Sequence, residues 1–198
     1  MTIKLWHCKG ARSLRPLWAL EEMRIAYDLE VMPFPPRVFQ KEYLDINVLG
    51  TIPYMIDGET HMTESTGICL YLVEKYKRHD FGLTPDHPEY GDYLNWLFHS
   101  DATLTFPQTI FFRYSKLEPE ERRIPQAADD YRQWYHARLR KLDAHIRTRE
   151  FLCDDRFTIA DIAVGYALYL GEFLGIDDEY SPHVRDYLAR LRLRPAFV

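Results

Sequence analysis

Cysteine is scarce in this sequence: 198 residues carry three, Cys8, Cys69 and Cys153, an odd number with no C-x-x-C spacing. That excludes a disulfide framework and supplies no structural zinc set. His7 and Cys8 are adjacent instead of standing at helical ligand spacing, so no metal is expected. The chain also lacks an apolar run of the roughly 20 residues needed to cross a bilayer. Met1-Thr2-Ile3-Lys4-Leu5 opens directly into strand-like sequence without a signal-peptide pattern. No membrane partner is expected, and a reducing cytoplasm is the expected location. Positive charge is not in excess either: 25 Lys and Arg against 30 Asp and Glu leave a net charge of −5. Such a chain has no basic field for nucleic acid, and the cluster Arg138, Arg140, Lys141 is interleaved with acids as one solvated helix face. Internal repeats and low-complexity tracts are missing too. What is present is the composition of a folded globular protein, 46% hydrophobic and 28% charged. The length suits a small domain followed by a larger one.

The small domain comes first. Ile3 to His7 reads as a strand, and Cys8-Lys9-Gly10-Ala11-Arg12-Ser13 as a turn into a helix with Ser13 at its N-cap. Leu14, Leu17, Trp18, Leu20 and Met23 then recur at helical spacing, with Pro16 in the first turn, where a missing N–H costs least. A second strand over Tyr27 to Met32 stops at Pro33, Pro35 and Pro36. Further on, two short strands meet at Asp57-Gly58, a strong hairpin signal. Thr63-Glu64-Ser65 leads from them into an apolar helix through Ile68, Leu70, Tyr71, Leu72 and Tyr76.

The order βαβ, ββ, α is therefore complete by about residue 78, which sets the first domain at 1–78. A polar stretch with Gly82, Pro85 and Pro88 reads as a linker over 79–89. The remaining 90–198 is helical in pattern, with helices expected from Tyr90 to about Ser115, Asp129 to about Arg149, Ile159 to Leu174 and Pro182 to about Leu193. Thr158-x-x-Asp161 is a capping pair and is read as structural.

Two places in the first domain invite a ligand. A proline after Ile52 at the head of a strand would, if cis, leave the Ile52 N–H and C=O outside the sheet, free for a peptide-like ligand. A trans proline opening an edge strand fits the same residues. Glu64-Ser65 stands at a helix start, where free N–H groups and the positive dipole end attract a carboxylate. An ordinary cap fits there as well.

Gly50-Thr51-Ile52-Pro53 and Thr63-Glu64-Ser65-Thr66-Gly67-Ile68, separated by one hairpin, resemble the glutathione-binding signature of the cytosolic glutathione transferases. The likeness extends over essentially the whole chain. It is supported by Arg12 to Glu22 in the first helix, by Phe157-Thr158-Ile159-Ala160-Asp161-Ile162, and by Arg194-Pro195-Ala196-Phe197. The resemblance implies a thioredoxin-like α/β first domain, an all-α helical-bundle second domain that shapes a hydrophobic pocket, a cis Pro53 and a cytoplasmic homodimer. It implies glutathione as co-substrate, activated as its thiolate for attack on a hydrophobic electrophile, as in detoxification. Ile52 and Pro53 would hold the peptide backbone of glutathione. Ser65 would take its γ-glutamyl carboxylate, Glu64 its ammonium, and Arg37 or Lys41 its glycine carboxylate.

The sequence departs from two branches of that family. Tyrosine-type members carry a phenol at the end of the first strand, where this chain has Trp6. Bacterial cysteine-type members read Gly-Ala-Cys-Ser-Leu, where this chain reads Gly10-Ala11-Arg12-Ser13-Leu14. A bacterial-type, serine-type enzyme is therefore expected, with Ser13 as hydrogen-bond donor to the sulfur and Arg12 as its positive charge. Two alternatives stand beside it: thiol transfer through a mixed disulfide at Cys8, and a glutathione-binding or protein-interaction module without turnover. Phe98, Phe106, Phe111, Phe112 and Tyr114 are the candidate wall of the electrophile pocket.

Overall fold

In a computed structural model, residues 2–197 are described, and the chain divides into two units between Gly82 and Leu83. The first unit holds a four-stranded mixed sheet in the order β2-β1-β3-β4, built from β1 (Ile3–His7), β2 (Tyr27–Val31), β3 (Tyr54–Asp57) and β4 (Thr60–Met62). β1 and β2 run parallel with Leu5 opposite Leu29, joined through the crossover helix α1 (Leu14–Met23), as a parallel pair requires. β3 lies antiparallel on β1 with Leu5 opposite Met55, and β4 closes a hairpin whose turn uses Gly58 at φ +61. α3 (Ser65–Lys75) packs on α1. Between β2 and β3, where the sequence pattern predicts no element, the chain forms a short helix α2 (Pro36–Phe39) and a 3-10 turn over Lys41–Asp45. Phe34-Pro35 in this stretch is a cis peptide bond.

The core of this unit follows from the alternation of β1 and the apolar stripe of α1. Ile3, Leu5, Trp18, Leu20 and Met55 are all buried. A second cluster gathers Trp6, Cys8, Met32, Tyr43 and Tyr54. Pro195 to Phe197 group with this first unit. Phe197 packs edge-on against Trp18 at 4.8 Å between ring centroids.

The second unit, from Leu83 to Arg194, is helical. The long helix expected from Tyr90 is one helical path with irregular winding: α4 (Tyr90–Phe98), a π-type stretch over His99–Thr105, α5 (Phe106–Phe112) and a further π-type turn to Leu117. After it come α6 (Pro125–Ile146), α7 (Ile159–Leu174) and α8 (Pro182–Arg192). α7 is predominantly apolar and most of its residues are buried, which makes it the centre of the unit. Its start is the expected capping box: Thr158 Oγ1 accepts from the Ala160 N–H, and Asp161 accepts from the Thr158 N–H at 2.8 Å. Gly175 ends it in the left-handed region. Among the described residues no helix is long and apolar enough to cross a membrane, and none of the three cysteines is disulfide-bonded.

Candidate functional site

The Ile52-Pro53 bond is cis, and β3 begins only at Tyr54. Ile52 thus stands just outside the ladder, and among the described residues no backbone hydrogen bond uses its N–H or C=O. This loop is held from beneath. Tyr43 Oη donates to the Thr51 carbonyl at 2.9 Å and Asn47 Nδ2 donates to the same oxygen at 3.0 Å, both from largely buried side chains. Asn47 also shapes the approach, accepting from the Leu49 N–H through Oδ1 and from the Gly50 N–H through its carbonyl. Gly50 has φ +58, and a Cβ there would stand 2.7 Å from Arg37 Cβ and 2.9 Å from Leu44 Cδ2. Only glycine fits that turn.

On the far side of the hairpin, Glu64 occupies the N-cap of α3 in extended conformation, with its side chain exposed and making no cap bond. Ser65 is the first residue of the helix and is buried. Its Oγ accepts from Arg15 Nη1 at 3.0 Å, and Arg15 is itself fully buried in the second position of α1. The start of α3 therefore holds a buried hydroxyl paired with a guanidinium, beside helix N–H groups that carry no intrahelical partner.

The turn between β1 and α1 is arranged differently from the sequence expectation. Ser13 sits at the N-cap position of α1 but makes no side-chain cap bond. Its hydroxyl is turned inward: Oγ accepts from the Cys8 N–H at 3.2 Å and lies 2.8 Å from His7 Nδ1. Burial lowers the His7 pKa, against the opposing effect of a hydrogen bond with the Ser13 backbone. Ser13 is wholly buried. The hydrogen-bond partners of its hydroxyl thus lie within the β1–α1 turn. Arg12, one residue earlier, is half-buried.

The two parts of the chain match two family models: "Glutathione S-transferase, N-terminal domain" over residues 11–75 and "Glutathione S-transferase, C-terminal domain" over 107–195. The chain belongs to the glutathione S-transferase family. Among curated relatives, glutathione S-transferase 3 of Schizosaccharomyces pombe is 24% identical, over 98% of this chain and 84% of that protein. The glutathione S-transferase-like protein gedE of Aspergillus terreus is 28% identical, over 98% and 92%. Among solved structures, glutathione transferase URE2P6 of Phanerochaete chrysosporium, in complex with oxidized glutathione, superposes with a TM-score of 0.85 at 27% identity, covering 99% of this chain and 93% of that one.

Within this glutathione transferase fold the departures from the tyrosine and cysteine branches have a structural reason. Trp6 is a core residue, with its ring 5.4 Å from that of Tyr54 and 6.5 Å from that of Tyr43. Cys8, the thiol-transfer candidate, is fully buried with Sγ donating to the Pro33 carbonyl at 3.6 Å, and burial pushes its pKa up to about 11. Burial of this kind disfavours the thiolate that a mixed disulfide at Cys8 requires.

Arg37 and Lys41 are both exposed, but only Arg37 has its Cβ against Gly50 at the approach to Ile52. None of Phe98, Phe106, Phe111, Phe112 and Tyr114 is buried in the second unit. Phe106 joins Tyr131 and Trp134, with ring centroids at 5.9 and 6.5 Å. The residues that sequence reasoning missed are Arg15, His7, Tyr43 and Asn47. Asn47 and Gly50 had a signal, since Asn at the first and Gly at the fourth place is the preference of a common turn. Arg15 had a weaker one, a charge three residues before Trp18 on a buried stripe.

Proposed function

We propose that this chain binds glutathione on its first unit and activates the thiol for attack on a hydrophobic electrophile, with loss of the leaving group and formation of a thioether. The observation that carries the reading is the Ile52 peptide, left out of the ladder beside cis-Pro53 and held by Tyr43 and Asn47. Such a peptide pairs with the cysteinyl backbone of the tripeptide. Ser65 takes the γ-glutamyl carboxylate and Glu64 the ammonium. Arg37 takes the glycine carboxylate in preference to Lys41, because its stem lies against Gly50. Thiolate stabilisation falls to Arg12 at the start of α1, and Ser13 serves by fixing the turn that carries Arg12.

Titration of the bound thiol by ultraviolet absorbance tests this division of labour. Arg12→Gln raises the pKa of bound glutathione by roughly one unit or more, the size expected from losing a nearby opposite charge. Ser13→Ala lowers stability by about 1–2 kcal/mol and leaves that pKa in place. A raised pKa in Ser13→Ala with none in Arg12→Gln would restore the serine mechanism. Retention on a glutathione column without turnover of a generic aryl halide would instead support the binding-module reading.

The protein acts as a cytoplasmic homodimer. Phe34, Val38, Phe39, Ile46, Val48 and Leu49 expose a run of apolar side chains on the first unit, Val48 to 85% and Phe39 to 66%, more than isolated surface residues account for. In sedimentation velocity the native chain runs as a dimer and Phe39→Ser/Val48→Asp as a monomer. A native monomer at micromolar concentration removes the dimer from the reading.

A further inference from the structure

We propose that Arg15 is a positioning residue for the γ-glutamyl carboxylate of glutathione, acting through Ser65; the inference rests on the glutathione reading above. Arg15 is one of the largest fully buried side chains of the molecule. Burying a guanidinium carries a heavy desolvation cost, and joining α1 to α3 does not require one. The two helices already bury Leu14, Leu17, Trp18, Ile68, Cys69 and Leu72. What the guanidinium adds is direction and charge.

Its Nη1 donates to Ser65 Oγ at 3.0 Å, which occupies one acceptor site of that hydroxyl and leaves the Ser65 proton to be given elsewhere. A hydroxyl that accepts from a cation is polarised and becomes the stronger donor. Ser65 is also the first residue of an 11-residue helix, where the dipole already favours an anion. The positive charge of Arg15, placed behind it in a low-dielectric interior, acts on a carboxylate at that spot with little screening. Arg15 therefore never touches the ligand. It sets the orientation and polarity of the group that does.

Titration calorimetry of the full chain decides the matter, with two ligands: glutathione, and its analogue lacking the γ-glutamyl α-carboxylate (4-aminobutyryl-cysteinyl-glycine). Arg15→Met weakens glutathione binding roughly tenfold to a hundredfold, the range for a charge-assisted hydrogen bond. It leaves binding of the analogue unchanged, and Arg15→Lys recovers part of the loss. In a Ser65→Ala background, Arg15→Met adds little. Equal losses for both ligands mean that Arg15 only holds α1 to α3, and overturn the proposal while leaving the glutathione reading intact. Failure of the native chain to bind glutathione brings down that reading and this one with it. Should Arg15→Met not fold, the Arg15 guanidinium N–H resonances of the native protein carry the test. They shift on adding glutathione and stay in place with the analogue; a shift with both ligands, or with neither, overturns the proposal.

Discussion

Gly171→Ala is expected to lose about 3 kcal/mol of stability, read as a drop in the urea midpoint at unchanged slope. Gly171 lies on the buried side of α7, where the hydroxyls of Tyr135 and Tyr180 meet in a hydrogen bond, and Tyr180 Oη also donates to the Leu168 carbonyl at 2.9 Å. A Cβ on Gly171 would overlap Tyr180 Oη outright and stand 2.8 Å from Tyr135 Oη. Neither ring has room to withdraw, since both are enclosed in the interior of the unit, and moving either hydroxyl breaks buried polar contacts. The added methyl thus costs both overpacking and hydrogen bonds. Two companions separate this from a general intolerance of alanine. Gly91→Ala, with nothing within 4 Å of the added Cβ, should gain up to about 1 kcal/mol from helix propensity. Tyr180→Phe removes the nearer oxygen, so the double variant Gly171→Ala/Tyr180→Phe should lose less than the sum of the two single losses. Strict additivity would mean that the clash lies elsewhere.

Asp161→Ala should be at least as damaging, about 3–4 kcal/mol by the same measurement. The carboxylate is fully buried and accepts from the N–H of Thr158 at 2.8 Å, the N–H of Leu152 at 3.0 Å and the hydroxyl of Tyr187 at 2.8 Å. It ties the start of α7 to the preceding loop and to α8. Truncation strands those donors in the interior. The group also writes a pH signature into stability. Burial raises its pKa from 3.8 to about 6, outweighing the hydrogen bonds that pull the other way. The native carboxyl therefore holds its proton more tightly than the unfolded one. Its contribution to stability is fully present below the unfolded value of about 4 and is lost as pH rises through about 6. Urea midpoints taken across that window should decline more in the native chain than in Asp161→Ala. A variant with the same slope would assign the pH dependence to another group.

Both residues belong to the framework, and the sequence announced them unequally. Asp161 sits in a capping pair of recognisable spacing, so its role was legible from Thr158-x-x-Asp161 alone. Gly171 had no local signal, because its need for a hydrogen atom in place of a methyl arises from two tyrosines that are 36 residues before it and nine after it. The site divides in the same way. Ile52-Pro53 and Glu64-Ser65 lie next to elements whose boundaries periodicity and turn residues fix, and they stand where the pattern puts them. For Ser13 the sequence leaves two outward uses open, capping the helix and facing a ligand. The inward one, toward His7 and the Cys8 N–H, depends on how β1 and α1 are folded onto each other.

Local patterning alone determined the βαβ-ββα order, the helical second unit, the capping box and the resemblance that led to the family, since each rests on residues within a few positions of one another. Only the tertiary structure decided that Ser13 points inward, that Cys8 is buried, that Arg37 stands against Gly50 and that Arg15 backs Ser65 across 50 residues of chain. Those facts concern which way a side chain turns and what it meets there. That is settled by burial, by desolvation and by the pairing of polar groups between elements distant in sequence, and no short window of residues contains it.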